Sequence, residues 1–200
     1  MTETSDSALA RRIADAAGAA LLALRDTRAF EGKALGDAGD RAANTLILDA
    51  LASQRPDDCV LSEESVDDKA RCGRSRVWIV DPLDGTREYS EGRSDWAVHI
   101  GLSIDGVAAV GAVALPSLGV TLTSDAPPAL KPLRDPPRML VSRTRPAAEA
   151  TAVAKRIGAE LVPMGSAGAK AMAVVLGQGE IYLHSGGQYA WDNCAPAAVA

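Results

Sequence analysis

The chain has no cluster of lysine and arginine, few cysteines and no long apolar run, and each shortage removes a class of function. Its 200 residues hold 21 Lys or Arg against 26 Asp or Glu, for a net charge of -5, and the basic residues are scattered. Nucleic-acid backbones are bound by cations gathered on one face, which release counterions as they dock, so no nucleic acid is expected as a partner. Cys59, Cys72 and Cys194 are odd in number, include no C-x-x-C pair and have no histidine close by in sequence. Neither a disulfide framework nor a zinc site follows from them. No stretch is long and apolar enough to span a bilayer, and the polar, then amphipathic, N-terminus lacks the basic start and continuous apolar core of a signal peptide. A cytoplasmic protein with no membrane partner is expected. No repeat or low-complexity tract stands out.

What the chain does have is 47% hydrophobic residues, enough for one sizeable core or two small ones. From Ser7 to about Arg25, Leu9, Ile13, Ala17, Leu21 and Leu24 recur at helical spacing. A second helix is predicted from about Asp40 to Gln54, stopped by Pro56, with "GKALGDAG" before it read as a glycine-punctuated loop. "CVLS" and "RVWIV" read as short apolar strands, each ending in acid. "DWAVHIGLSI" alternates and meets "VAAVGAVAL" through Asp105-Gly106, the signature of a two-residue hairpin. "PSLG" turns into a further strand, "VTLTS", making an antiparallel meander. "SDAPPALKPLRDPPR" holds five of the eleven prolines and marks a subdomain boundary, giving an α+β part over residues 1–137 and an α/β part over 138–200. The second part reads as strand "MLVS", helix Ala147 to Ile157, strand "LVPM", helix Ala167 to Val175 and strand "IYLHS". "WDNCAPAAVA" opens another helix, and the chain is expected to continue past Ala200 in the full protein.

Carboxylates fall where strands end or helices begin: Asp40, Glu63 with Glu64, Asp81 with Asp84, and Asp192. Singly, each has an ordinary explanation, a helix cap for Asp40 or Asp192 and a solvated acidic loop running on to Asp67 and Asp68 for Glu63 and Glu64. "DPLDGT" is different. Its proline forces an extended entry, and two aspartates with the Leu83 carbonyl offer three hard oxygens in four residues, a set that selects Mg2+ or Mn2+. The amides of Gly85 and Thr86 then open a helix, whose positive end seats an anion. Metal and anion side by side suggest phosphoryl chemistry on a phosphate ester. Two similar motifs fail: an aspartyl-phosphate phosphatase needs D-x-D-G-T, with its acids two apart rather than three, and "GSAGAK" at 165–170 lacks the lysine directly after the second glycine that a P-loop requires.

"SEES" at 62–65, "WIVDPLDGT" at 78–86 and "WD" at 191–192, with "GD" at 39–40, resemble the inositol monophosphatase superfamily of magnesium-dependent, lithium-sensitive phosphatases. "GSAGAK", "WDNCAP" and "SRTRP" at 142–146 are similar to the 3'(2'),5'-bisphosphate nucleotidase branch. Ser185 stands seven places before Asp192, where the inositol branch carries an acid. The resemblance implies a layered αβαβα sandwich. It implies two or three Mg2+ ions, or Mn2+, held by Glu63, Asp81, the Leu83 carbonyl, Asp84 and Asp192. Asp40 and Thr86 would prepare the attacking water, Glu64 would stand just outside the metals, and the Gly85 and Thr86 amides would hold the phosphate, which Glu63 and Asp192 also approach. Arg145, Ser166 and Lys170 are the candidates for nucleotide contacts, while His99 and His184 read as packed or hydrogen-bonded. The implied reaction removes the 3'-phosphate of 3'-phosphoadenosine 5'-phosphate (PAP), in sulfur assimilation, in an enzyme that forms a homodimer. The alternatives are an inositol or sugar phosphatase, and a nucleotide-binding module without catalysis. Asp84→Asn is expected to remove turnover and leave the fold.

Overall fold

The computed structural model describes residues 4–67 and 69–200; Asp68 of the acidic loop and the first three residues of the polar N-terminus lie outside the described residues. Two helices come first, α1 (Asp6–Asp26) and α2 (Gly32–Gln54), followed by strands β1 (Cys59–Ser62) and β2 (Arg76–Asp84), the short helix α3 (Thr86–Ser90), and strands β3 (Ala97–Ile104), β4 (Val107–Leu115) and β5 (Val120–Thr123). After a segment without helix or strand come β6 (Arg138–Ser142), α4 (Ala148–Ile157), β7 (Glu160–Met164), α5 (Ala167–Val175), β8 (Ile181–Tyr182) and α6 (Ala190–Val199). The strands make two sheets, a five-stranded one in the order β1-β2-β3-β4-β5 and a three-stranded one in the order β7-β6-β8. β1 and β2 are parallel and the rest of the large sheet is antiparallel, so the meander begins at β2.

Period-two alternation puts the two sides of the large sheet to different uses. Trp78, Val80, Val98, Ile100, Leu102, Ala112 and Ala114 turn to one side and share a core with Leu9, Ile13, Ala17 and Leu21 of α1 and Ile47 and Leu51 of α2. Ala97, Val113 and Leu115 turn to the other, against Met172 of α5 and Ala195 and Val199 of α6. Beyond α5 lies the small sheet, whose far face carries Met139 and Val141 against Ala150 and Ala154 of α4. The order is therefore helix, sheet, helix, sheet, helix. Each large apolar side chain closed inside such layers stabilises the fold by about 1.5–3 kcal/mol.

Glycine lets the layers approach. Gly101 of β3 and Gly111 of β4 are directly paired, and both lie under α6: a Cβ on Gly101 would sit 2.8 Å from Cys194 Sγ, and one on Gly111 would overlap the Ala195 carbonyl oxygen. That trough brings the first turn of α6, with Asp192, down onto the sheet. The same logic corrects the loop expected at "GKALGDAG", which is the first part of α2, eight residues ahead of the predicted start at Asp40. Its glycines are not breakers. They leave room for neighbours, since a Cβ at Gly36 would lie 2.7 Å from Thr86 Cγ2 and one at Gly39 3.0 Å from the Tyr89 ring. Asp40 is thus an inner residue of α2 rather than its cap.

Candidate active site

The β2 end solves a parity problem. Residues three apart in a regular strand point to opposite faces, yet Asp81 and Asp84 both lie on one. Asp81 pairs with His99 and Asp84 with Ala97, so three steps on β2 match two on β3. This bulge inserts one residue and restores the phase: Leu83 joins Val80 in the α1/α2 core, while Asp81 and Asp84 share the α6 side with His99. Among the described residues, these three offer ligand atoms all within 4.8 Å of one another. The proline-restricted entry and the Leu83 N–H, which donates to Asp81 Oδ1 at 3.1 Å, hold the turn.

Glu63 follows β1, the parallel neighbour of β2. Burial, then Asp84, Glu63 and Asp192, hold the Asp81 carboxyl well above the usual carboxylate range; Glu63, an exposed residue, is raised by partial desolvation and by Glu64, and Asp192 by burial and Asp84. Asp81 and Asp84 lie together, and Glu63 from the end of β1 and Asp192 from α6 stand near enough to act on both through their charge. Asp192 sits in the first turn of α6, where its Oδ2 accepts the Tyr189 N–H at 2.6 Å, so it does cap that helix as well.

Asp84 is the exception, with its carboxyl held below the usual range. Burial alone would raise it, but His99, Ser166 and the Gly168 N–H outweigh that. Ser166 Oγ donates to Asp84 Oδ2 at 2.5 Å, the Gly168 N–H donates to the same oxygen at 2.6 Å, and the Ala167 N–H reaches Oδ1 at 3.2 Å. The start of α5 is thus folded around Asp84. His99 Nε2 lies 3.2 Å from Asp84 Oδ2, out of line for a well-formed hydrogen bond, and its Nδ1 lies 3.0 Å from the Trp191 carbonyl oxygen. Both ring nitrogens face acceptors. Burial alone would lower the ring's pKa, but the neighbouring Asp84 outweighs it and raises the value.

On the α2 side, Asp40 is pushed up to about 7 by burial and by Glu64 and Glu63. Thr86 Oγ1 stands between it and the turn at the end of β2, 3.5 Å from Asp40 Oδ1 and 3.2 Å from the Leu83 carbonyl oxygen. Gly85 takes φ +94° ahead of α3, a left-handed conformation that favours glycine, and a Cβ there would crowd Ser166 and Trp96 at 3.2 Å. Because α3 is five residues long, an anion would meet its first amides more than a long helix dipole.

A cleft of about 530 Å³ opens beside these groups, lined in part by Asp84, Arg143, Arg145, Lys170, Tyr182 and Asp192. Lys170 is buried and donates from Nζ to the Gly165 and Ser166 carbonyls, 5.2 Å from the Tyr182 ring centre. Ser166 gives its hydroxyl hydrogen to Asp84 and accepts the Ala169 N–H. Arg145 is exposed, its N–H bonded to Ser142 Oγ.

The inositol monophosphatase family model matches residues 6–126. The chain belongs to that family. A Mycobacterium leprae protein named 3'-phosphoadenosine 5'-phosphate phosphatase is 49% identical to it, over 98% of this chain and 78% of the relative. The Escherichia coli K12 protein named 3'(2'),5'-bisphosphate nucleotidase CysQ is 33% identical, over 82% of this chain and 71% of the relative. The crystal structure of inositol monophosphatase II from Staphylococcus aureus MSSA476 matches with a TM-score of 0.80 at 24% identity, over 96% of this chain and 77% of that one, so the layered α/β sandwich is that of inositol monophosphatases.

Within this inositol monophosphatase fold, sequence reasoning missed the wall of the cleft. Arg143 Nη2 binds Glu88 Oε1 at 2.8 Å and Glu91 Oε2 at 2.7 Å, and Asp95 Oδ2 accepts the Gly165 N–H at 2.6 Å. These pairs join residues 52 to 70 apart in sequence, and no local motif announces them.

Proposed function

We propose that this chain hydrolyses the 3'-phosphate of PAP to give AMP and phosphate, with Mg2+ as its metal. The observation that carries the reading is the close approach of Asp81 and Asp84, with Glu63 and Asp192 near enough to act on Asp81 through their charge, beside a cleft lined by Asp84, Asp192, Arg143, Arg145 and Lys170; the names of the M. leprae and E. coli relatives favour PAP over other phosphate esters. The residues fit a divalent cation. Buried Asp81 and half-buried Asp192 are held above their usual range by desolvation and by neighbouring acids, the situation that hard cations relieve, and exposed Glu63 is raised beside them. Glu63, Asp81, the Leu83 carbonyl, Asp84 and Asp192 would hold Mg2+, or Mn2+. Bound there, the metal supplies Lewis-acid polarisation of water and phosphoryl oxygen and charge stabilisation of the departing 3'-oxygen.

The chain's own groups do the rest. Asp40, with a pKa near neutrality, takes the proton that a water loses as it attacks phosphorus, and the Thr86 hydroxyl beside it orients that water. The Gly85 and Thr86 amides hold phosphoryl oxygens, the P–O3' bond breaks, and the ribose oxygen takes a proton from solvent. Arg145, exposed on the wall of the cleft, meets the second phosphate, and Lys170 and Ser166 shape that end of the site. Three reduced cysteines suit the cytoplasm, and a homodimer is our proposed assembly.

Phosphate release with and without Mg2+ from PAP, inositol 1-phosphate and fructose 1,6-bisphosphate tests the reading. PAP is expected to be preferred at least tenfold in kcat/KM; equal rates on inositol 1-phosphate, or turnover in excess chelator, would overturn it.

A further inference from the structure

His99 has no part in the mechanism above, yet it is fully buried and lies where three segments of the site meet. One nitrogen reaches the β2 bulge, 3.2 Å from Asp84 Oδ2. The other reaches the first turn of α6, 3.0 Å from the carbonyl oxygen of Trp191, the residue before Asp192. Against the ring sits Gly168, where a Cβ would overlap Nε2 outright, so α5 can close over Asp84 only because residue 168 has no side chain. The ring does not line the cleft.

We infer that His99 is a positioning residue for the metal-holding acids: it fixes the Asp84 carboxylate and the Asp192-bearing turn of α6 relative to each other, and it is not itself a ligand. This rests on the metal reading given above. Groups that orient a liganding carboxylate from behind contribute to metal affinity although they never touch the ion, and their loss typically weakens binding about 10–100-fold. Position supports the orienting role over direct ligation, since the face of the ring towards α5 is closed by Gly168 and that towards α6 by a backbone carbonyl.

Two substitutions separate the two arms. In His99→Asn the amide nitrogen is two bonds from Cβ, as Nδ1 is, so it still reaches the Trp191 carbonyl but falls short of Asp84. In His99→Gln the nitrogen is three bonds out, as Nε2 is, so it still reaches Asp84. Mn2+ binding to the whole chain, followed by the decline of the free-ion electron paramagnetic resonance signal, is expected to weaken about 10–100-fold in His99→Asn and less in His99→Gln, with both variants melting cooperatively. In the unsubstituted protein the Mn2+ signal should show no coupling to a histidine nitrogen.

Mn2+ affinity in His99→Asn within twofold of the parent would overturn the inference, as would nitrogen coupling, which would make the ring a ligand. If neither variant folds, the ring serves the core and the inference falls. A parent protein that takes up no Mn2+ would sink the metal reading itself, a result distinct from tight binding that ignores residue 99.

Discussion

At the scale of single residues, Asp84 shows how a site acid can be a structural hub. The sequence places it at the surface of a turn, where replacing it with asparagine would leave the fold alone. Instead it is buried and receives Ser166, Ala167 and Gly168. In Asp84→Asn an NH2 group must face at least one of those donors, so besides losing turnover the variant is expected to lose about 1–3 kcal/mol of stability, the cost of an unsatisfied buried donor. Thermal melts in excess chelator, where no metal contributes, would measure it; an unchanged midpoint would contradict the hydrogen-bond assignment. Cysteine behaviour is set on the same scale. Cys72 is exposed and Cys59 half-buried, whereas Cys194 is buried under α6 and its thiol is pushed up to about 11 by desolvation. Since the thiolate is the reactive form, a thiol reagent at pH 7.5 should label Cys72 fast and leave Cys194 unmodified until denaturant is added, as mass mapping of the labelled sites would report.

At the scale of elements, the helices reach the site because particular strand and helix residues have no side chain. Gly111→Ala would press a methyl group against the Ala195 carbonyl, which as backbone has little room to give. We expect a loss of about 1–3 kcal/mol, the usual cost of overpacking, together with a raised KM for Mg2+ as α6 and Asp192 lift from the sheet; normal metal dependence would show that α6 is not held down at this glycine. The same residues explain what sequence could and could not disclose. The alternation in β3 and β4, the Asp105-Gly106 turn and helix α5 were all legible, because their signals are local. The first part of α2 was misread, because Gly32, Gly36 and Gly39 look like a loop until Thr86 and Tyr89 are known to lie against the last two. The acids were legible because each motif is short. The wall of the cleft was not, because the pairing of Arg143 with Glu88 and of Asp95 with Gly165 depends on how layers stack.

For the molecule as a whole, these charges set how stability depends on pH. Asp40 titrates near 7 in the folded chain against 3.8 for an unperturbed aspartate, and Glu63, Asp81 and Asp192 are raised too. Between those two pH values the folded state holds more protons than the unfolded one, so stability without metal falls as pH rises from about 4 to about 7. On the acid side, burial would raise Asp58 and Asp95, but their arginine partners hold both low, and the stability they supply is lost as pH drops below about 4 through their folded values. Melting without metal should therefore be best in mildly acid solution, and about 5 mM Mg2+ should raise the midpoint more at pH 7.5 than at pH 5, since ligand binding to the folded state stabilises it by mass action. A scanning calorimeter that found the larger Mg2+ effect at pH 5 would refute the account. Among the described residues no helix is long and apolar enough to cross a membrane.

The bulge in β2 has a further implication for how this kind of site tolerates change. Because one extra residue between Asp81 and Asp84 brings both acids to the same side of the sheet, spacing in that stretch is as constrained as its chemistry. Pro82 is itself buried, so replacing it would disturb packing as well as the stiffness of the turn. Adding one more residue would swing Asp84 through half a strand period and turn its carboxylate into the oily layer where Leu83 now sits; removing one would straighten the ladder and flatten the kink from which the Leu83 carbonyl reaches Thr86. Descendants of such a gene can lose the site by gaining or dropping a single letter there even when every acid is kept.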